Sequence, residues 1–255
     1  MVRRPWTLVL GLLALVFALS GVAAAQHPAF RIKGRVLTDR GEPLAGADVR
    51  LEAFFGYAAG TFAGQRLFDT TTNAKGEWNV GAMQPGIWLF DVTAPGYLPE
   101  TVVLPIRILT TVSMGTSNMT LVWDLVLKAL KAPDDPWGEY LGEIAKLAKA
   151  AKTDDVRTAL LKMPDDPAAD YLAAAGRIAL MARDVPLAQT LFARALERDP
   201  ASYRATLGMA SVFTLQRDFD NASRAFDATR NRTGDKSEQK FLTAAIGDLA
   251  TIKVR

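Results

Sequence analysis

Two stretches of this 255-residue chain repeat one another. Residues 183–200 read RDVPLAQTLFARALERDP, and residues 217–234 read RDFDNASRAFDATRNRTG. Each opens with Arg-Asp, then places an alanine (Ala188, Ala222) and a phenylalanine (Phe192, Phe226) at matching steps, at an offset of 34 residues. Self-similarity at such a period marks stacked supersecondary units, because a single unit cannot bury its apolar face alone. A second echo, PDDPWGEYL at 133–141 and PDDPAADYL at 164–172, has an offset of 31, so one connection or helix is shortened. Residues 137–255 therefore read as an α-helical solenoid. The segment SEQKFLTAAIGDLATIKV at 237–254 reads as its capping helix.

The better copy carries Gly176, Ala188, Phe192, Ala195 and Pro200, a pattern that resembles the tetratricopeptide repeat. The resemblance implies two antiparallel helices per unit, with Gly176 and Ala188 at their crossing, Phe192 filling the gap and Pro200 ending the second helix. The next copy keeps Ala210, Phe213, Ala222 and Phe226 but has Gly234 for the proline. The earlier copy keeps Leu141, Gly142 and Ala145 and then loses the pattern. The resemblance also implies a concave face lined by first helices. Asp170, Ala173, Ala174, Arg177 and Met181 would stand on it, then Arg204, Leu207, Ser211 and Thr214. Its two arginines would meet the carboxylate of a peptide or a chain terminus, or remain solvated surface charges.

Residues 30–128 follow another rule. RIKGRVLTD, ADVRLEAF, GIWLFDVT and MTLVWDLVLK are short extended segments with glycine and proline between them, as in a sandwich or barrel. Within them, Gly34, Val36, Asp39, Gly41, Pro43, Leu44, Gly46, Ala47 and Val49 form one block. Thr72, Gly76, Trp78, Val80, Pro85, Gly86, Val92, Gly96 and Tyr97 form a second. Together they resemble the carboxypeptidase regulatory-like domain, which implies a seven-stranded, transthyretin-like β-sandwich of the immunoglobulin-like kind. The chain thus reads as a multidomain β + α protein, with residues 129–136 as the linker. The stretch FFGYAAGTFAGQRLFD at 54–69 is a long aromatic insertion. Its Phe54, Phe55, Tyr57 and Phe62 either pack over the sandwich edge or present a ligand surface.

The N-terminus reads as an address. A basic start, an apolar run of 13 residues and the small-residue ending SGVAAA fit a secretory signal peptide over residues 1–25, cut before Gln26. The alternative is an uncleaved anchor, although a span needs roughly 20 apolar residues. The expected location is therefore the periplasm or the medium, with no membrane span in the mature chain. Catalytic chemistry finds few residues to work with. There is no cysteine, and the one histidine, His27, adjoins the cleavage site. The aspartate pairs at 134–135, 154–155 and 165–166 open helices, where carboxylates favour the N-terminal dipole. No catalytic residue, metal or cofactor is expected. The net charge of +3 is scattered, which argues against nucleic acid. The expectation is an exported, non-enzymatic adaptor that binds a protein or peptide partner of the bacterial cell envelope through its repeats. The competing reading is a surface module whose sandwich loops bind carbohydrate or cell-wall polymer.

Overall fold

Alternation places the first strand. In β1 (Phe30–Thr38) Ile32, Gly34 and Val36 are buried while Arg31, Lys33 and Arg35 are exposed, the period of two that gives a sheet one dry face. The computed structural model describes residues 30–56, 67–83, 86–106, 120–127, 129, 136–163 and 167–252. The signal segment, His27, Tyr57, Phe62 and the aspartates at 134–135 and 165–166 lie outside the described residues.

Seven more strand segments follow: β2 (Asp48–Gly56), β3 (Leu67–Thr71), β4 (Glu77–Met83), β5 (Gly86–Thr93), β6 (Glu100–Ile106), β7 (Thr120–Val122) and β8 (Leu125–Leu127). Sheet 1 has β1 at its centre, antiparallel to β4 on one side and parallel to β7 and β8 on the other. The last two are halves of one broken strand. At the break the Trp123 carbonyl takes the space beside Gly34, where a Cβ would come within 1.6 Å of it. Asp124 then accepts the Arg35 backbone N–H at 2.9 Å. Sheet 2 runs β3-β2-β5-β6. The turn before β4 is closed by Gly76, at φ +69°, whose Cβ would lie 2.6 Å from the Val36 carbonyl. With the broken strand counted once, this is the expected seven-stranded sandwich.

Seven helices complete the described chain: α1 (Pro136–Lys149), α2 (Thr153–Leu161), α3 (Ala169–Met181), α4 (Val185–Arg198), α5 (Tyr203–Leu215), α6 (Phe219–Arg230) and α7 (Lys236–Ile252). The 34-residue echo is visible in the backbone. Helices α3 and α5 begin and end 34 residues apart. Arg183 and Arg217 turn the chain in the left-handed region, at φ +67° and +61°. Asp184 and Asp218 then cap the next helix, each accepting an amide at 3.2 Å, from Leu187 and from Asn221. Glycine sets the spacing between helices. The Phe192 ring fills the place of a side chain at Gly176 and at Gly208, where a Cβ would meet it at 2.7 and 2.2 Å. Asp154 and Asp155 lie in the first turn of α2, as the dipole favours. No helix among the described residues is long and apolar enough to cross a membrane.

Candidate binding site where the sandwich meets the helices

Sheet 2 is covered on both faces at β5 and β6. Trp88, Phe90, Val92, Val102 and Leu104 point into the sandwich core. Ile87, Leu89 and Val103 point outward and pack with Leu215 of α5. The sandwich core itself continues into the helices. Phe90 meets Trp123 edge to face at 5.7 Å, and Trp123 stacks on Phe241 of α7 at 4.6 Å.

The first-helix face is therefore occupied by the chain's own edge strand. The Val103 N–H donates to Ser211 Oγ at 3.0 Å, and Ser211 donates in turn to the Leu207 carbonyl at 3.2 Å. This caps an otherwise open sheet edge. Arg177, only 2% exposed, donates from Nε to the Pro99 carbonyl at 3.2 Å and lies 3.5 Å from Glu100 Oε1. Its Nη1 is buried and has no hydrogen-bond partner among the described residues. Burial lowers the pKa of Arg177, an effect Glu100 opposes and nearby Arg204 adds to.

Of the seven positions read as a groove, Arg177, Met181, Leu207, Ser211 and Thr214 are buried, Arg204 is half-buried and Asp170 is exposed. The difference from an open groove has a physical reason. Spacing assigns these residues to one face but does not say what lies on it, and here β6 does. Ser211 and Thr214 tolerate burial because their hydroxyls donate to carbonyls one turn back, Thr214 to Ala210 at 2.7 Å. Arg204 and Asp170 stay reachable in the first turns of α5 and α3. Glu238, in the first turn of α7, joins them. Its carboxylate accepts from the hydroxyls of Tyr203 and Thr233, the latter at 2.6 Å. Burial and, secondarily, Glu100 push the Glu238 pKa up to about 7.

A second opening lies over the polar half of sheet 2. It holds about 760 Å³ between β2, β3 and β5 and the two helix turns at Lys149–Thr153 and Met181–Arg183. Arg183 spans it, pairing with Glu52 and with Asp91 at 3.3 Å. Asp91 is 5% exposed at its side chain and accepts from Thr101 at 2.9 Å. Burial raises its pKa, against the pull of Arg183. Lys149 pairs with Asp48 at the rim.

Sequence reasoning missed Glu100, Tyr203, Glu238, Glu52, Asp91 and Arg183 as members of the junction. One signal pointed there: GIWLF and VVLPI are unbroken apolar runs, as expected of strands dry on both faces. In the aromatic insertion, Phe54 is 45% exposed, while the Phe55 side chain is not among the described groups. Among the described residues no three His, Cys, Asp or Glu side chains gather as a metal site.

Comparison with known proteins bears mainly on the sandwich. No curated protein matches the sequence. Among solved structures, the chain is similar to hydroxyquinol 1,2-dioxygenase from Pseudomonas putida DLL-E4, with 13% identity over 40% of this chain and 56% of that one, at a TM-score of 0.31. It is similar to the dioxygenase domain of a dioxygenase carbohydrate-binding protein fusion from Streptomyces sp. SirexAA-E, with 17% identity over 42% and 85% of the two chains, at 0.33. It is similar to PcrH from Pseudomonas aeruginosa, with 17% identity over 48% and 96%, at 0.38. The chain thus spans little more than half the length of the first dioxygenase. Likenesses at these TM-scores bear on neither fold nor function. Residues 31–122, in contrast, match the family model of the carboxypeptidase regulatory-like domain. The sandwich that lies against the helices is a carboxypeptidase regulatory-like domain.

Proposed function

We propose that the protein is an exported, non-enzymatic adaptor whose helical hairpins take a protein or peptide partner in the cell envelope, with the sandwich as the accessory module that completes the site. The observation that supports this reading is Arg177. Its Nη1 is buried without an acceptor, and neighbouring Arg204 makes no ion pair among the described residues. A guanidinium has five donors and is costly to bury with any of them unmet. A partner's carboxylate entering over the first turns of α3, α5 and α7 would meet the half-buried Arg204 guanidinium beside it. β6 closes the rest of the first-helix face, so the partner engages the helical N-termini and not the full length of a groove.

The test uses the mature chain, residues 26–255, as bait in envelope extract, with captured proteins identified and their affinity measured directly. Arg204→Glu is expected to weaken capture about tenfold or more, as loss of a charge-assisted contact does. Arg194→Glu, on exposed surface of α4, is the control. Capture that Arg204→Glu leaves unchanged would overturn the reading. Retention of polysaccharide alone would favour the end of β2 that carries exposed Phe54 as a carbohydrate surface.

A further inference from the structure

Among the described residues, the outer face of sheet 1 lacks the cover that sheet 2 has. Its central strand β1 presents Arg31, Lys33 and Arg35, all exposed. These cations stand at alternate residues of one strand, so their Cα atoms recur about every 6.6–6.8 Å, twice the rise per residue. On one side β4 contributes Glu77, Asn79 and Gly81, and on the other side Val122 and Val126 are 45% and 44% exposed. The hollow over this face holds about 710 Å³.

The three cations are not equivalent. Arg35 is engaged: its guanidinium reaches Asp124 at 2.6 Å, and Glu77 stands opposite it in register. Among the described residues, Arg31 and Lys33 have no hydrogen bond or ion pair. The cross-strand neighbours of Lys33 are Asn79 and Val122, both neutral. Arg31 lies beside Gly81, where a Cβ would meet its Nε at 3.7 Å, so β4 sends no side chain over it. Two uncompensated cations, in step with an extended chain and bordered by exposed valines, complement one kind of ligand. An extended peptide also repeats its side chains on one face every second residue, and carboxylates at those positions would fall in register with the cations.

We propose that the outer face of sheet 1 is a docking surface for an extended acidic segment of a partner protein, laid along β1 with carboxylates at alternate residues against Arg31 and Lys33. The surface is separate from the helical N-termini, so either assignment stands or falls without the other. The contacts are exposed, so their strength comes from several weak pairs and depends on salt.

The test is fluorescence anisotropy on the mature chain with a labelled peptide that alternates aspartate and threonine. The same residues arranged as an aspartate block and a threonine block form the comparison probe. The alternating peptide is expected to bind about tenfold tighter than the block peptide, and Arg31→Glu with Lys33→Glu to weaken it about tenfold. Raising ionic strength from about 0.01 to about 0.15 M, which shortens the Debye length from about 30 to about 8 Å, should weaken it as well. Arg204→Glu should change nothing, and circular dichroism should show the doubly substituted chain folded. Equal binding of the two peptides would overturn the proposal, as would an unaffected double variant. So would no binding up to about 1 mM. Preference for heparin over both peptides would also overturn it, since that marks a general polyanion surface.

Discussion

The outer faces of the two sheets share one architecture and differ in fate. On sheet 1 the outward positions of β1 are Arg31, Lys33 and Arg35, all wet. On sheet 2 the outward positions of β5 and β6 include Ile87, Leu89 and Val103, all dry beneath the helices. In a sandwich standing alone, those three side chains would form an exposed apolar patch of the kind that marks an interface. Here the interface is internal. The difference teaches that the helices do more than follow the sandwich, since they complete its packing.

The sharpest way to break the comparison is to cut one outward residue from each sheet. Leu89→Ala removes a side chain 1% exposed and should destabilise the fold by about 2–5 kcal/mol, the range for buried leucine. Lys33→Ala, in the outward row of the other sheet, should stay within about 0.5 kcal/mol. Thermal unfolding reads both. Equal effects would mean that the helices do not seal sheet 2 in solution.

Next in size is the seating of the cover. Phe192 holds α3 and α5 apart by the depth of one ring, in space that Gly208 leaves empty. Gly208→Ala drives a methyl to 2.2 Å from that ring and should cost about 1–3 kcal/mol, although alanine is the better helix former. Adding Phe192→Leu should recover part of the loss. If Gly208→Ala is stabilising, the helices are not packed this closely.

Much of this was legible. The repeat placed Ala188, Phe192, Ala222 and Phe226, which are all buried, and the glycine-tryptophan pattern marked the sandwich. The junction was harder to read because a helical face defined by spacing carries no statement about its occupant. Ser211 resembles a surface residue in sequence, yet it is fully buried because its hydroxyl meets both its own helix and Val103. Arg177 gave the opposite lesson. Its expected carboxylate partner was supplied by Glu100 of the same chain. The apolar runs of β5 and β6 were the one available clue, and they report two-sided burial without naming the covering element.

Ser211→Ala isolates the polar pin between strand and helix. It leaves the Val103 N–H buried without an acceptor, which should cost about 1–3 kcal/mol. Thr214→Val, whose hydroxyl bonds only within α5 among the described contacts, should cost less. If both cost the same, the hydrogen bond to β6 adds nothing beyond local helix bonding.

A pH-dependent effect is expected where the covering helices end. Glu238 is held near a pKa of about 7 against its ordinary 4.5, so the folded state favours its protonated form. Stability from this group is fully present below about pH 4.5 and is lost as the pH rises through about 7. Glu238→Gln should flatten that part of the stability–pH profile and raise the melting temperature at pH 8 relative to the wild type. The test is a melting series from pH 5 to 8, a window set by that pKa. An unchanged slope in the variant would assign the titration elsewhere.

The smallest effect belongs to the rim of the junction. Lys149 and Asp48 are paired there, yet their side chains are 58% and 47% exposed. Such a pair gains little Coulomb energy in water and loses side-chain freedom to hold its geometry. Lys149→Ala should therefore change stability by no more than about 1 kcal/mol, and the change should vanish at high salt. Arg183 sits across the same cleft but pairs with an Asp91 carboxylate only 5% exposed. Arg183→Ala should cost more than Lys149→Ala, and salt should not erase the difference, because water cannot replace the lost partner of a buried carboxylate. Equal, salt-sensitive losses at the two positions would mean that the cleft is wet to its floor and that burial, the property separating the two faces of this sandwich, does not hold there.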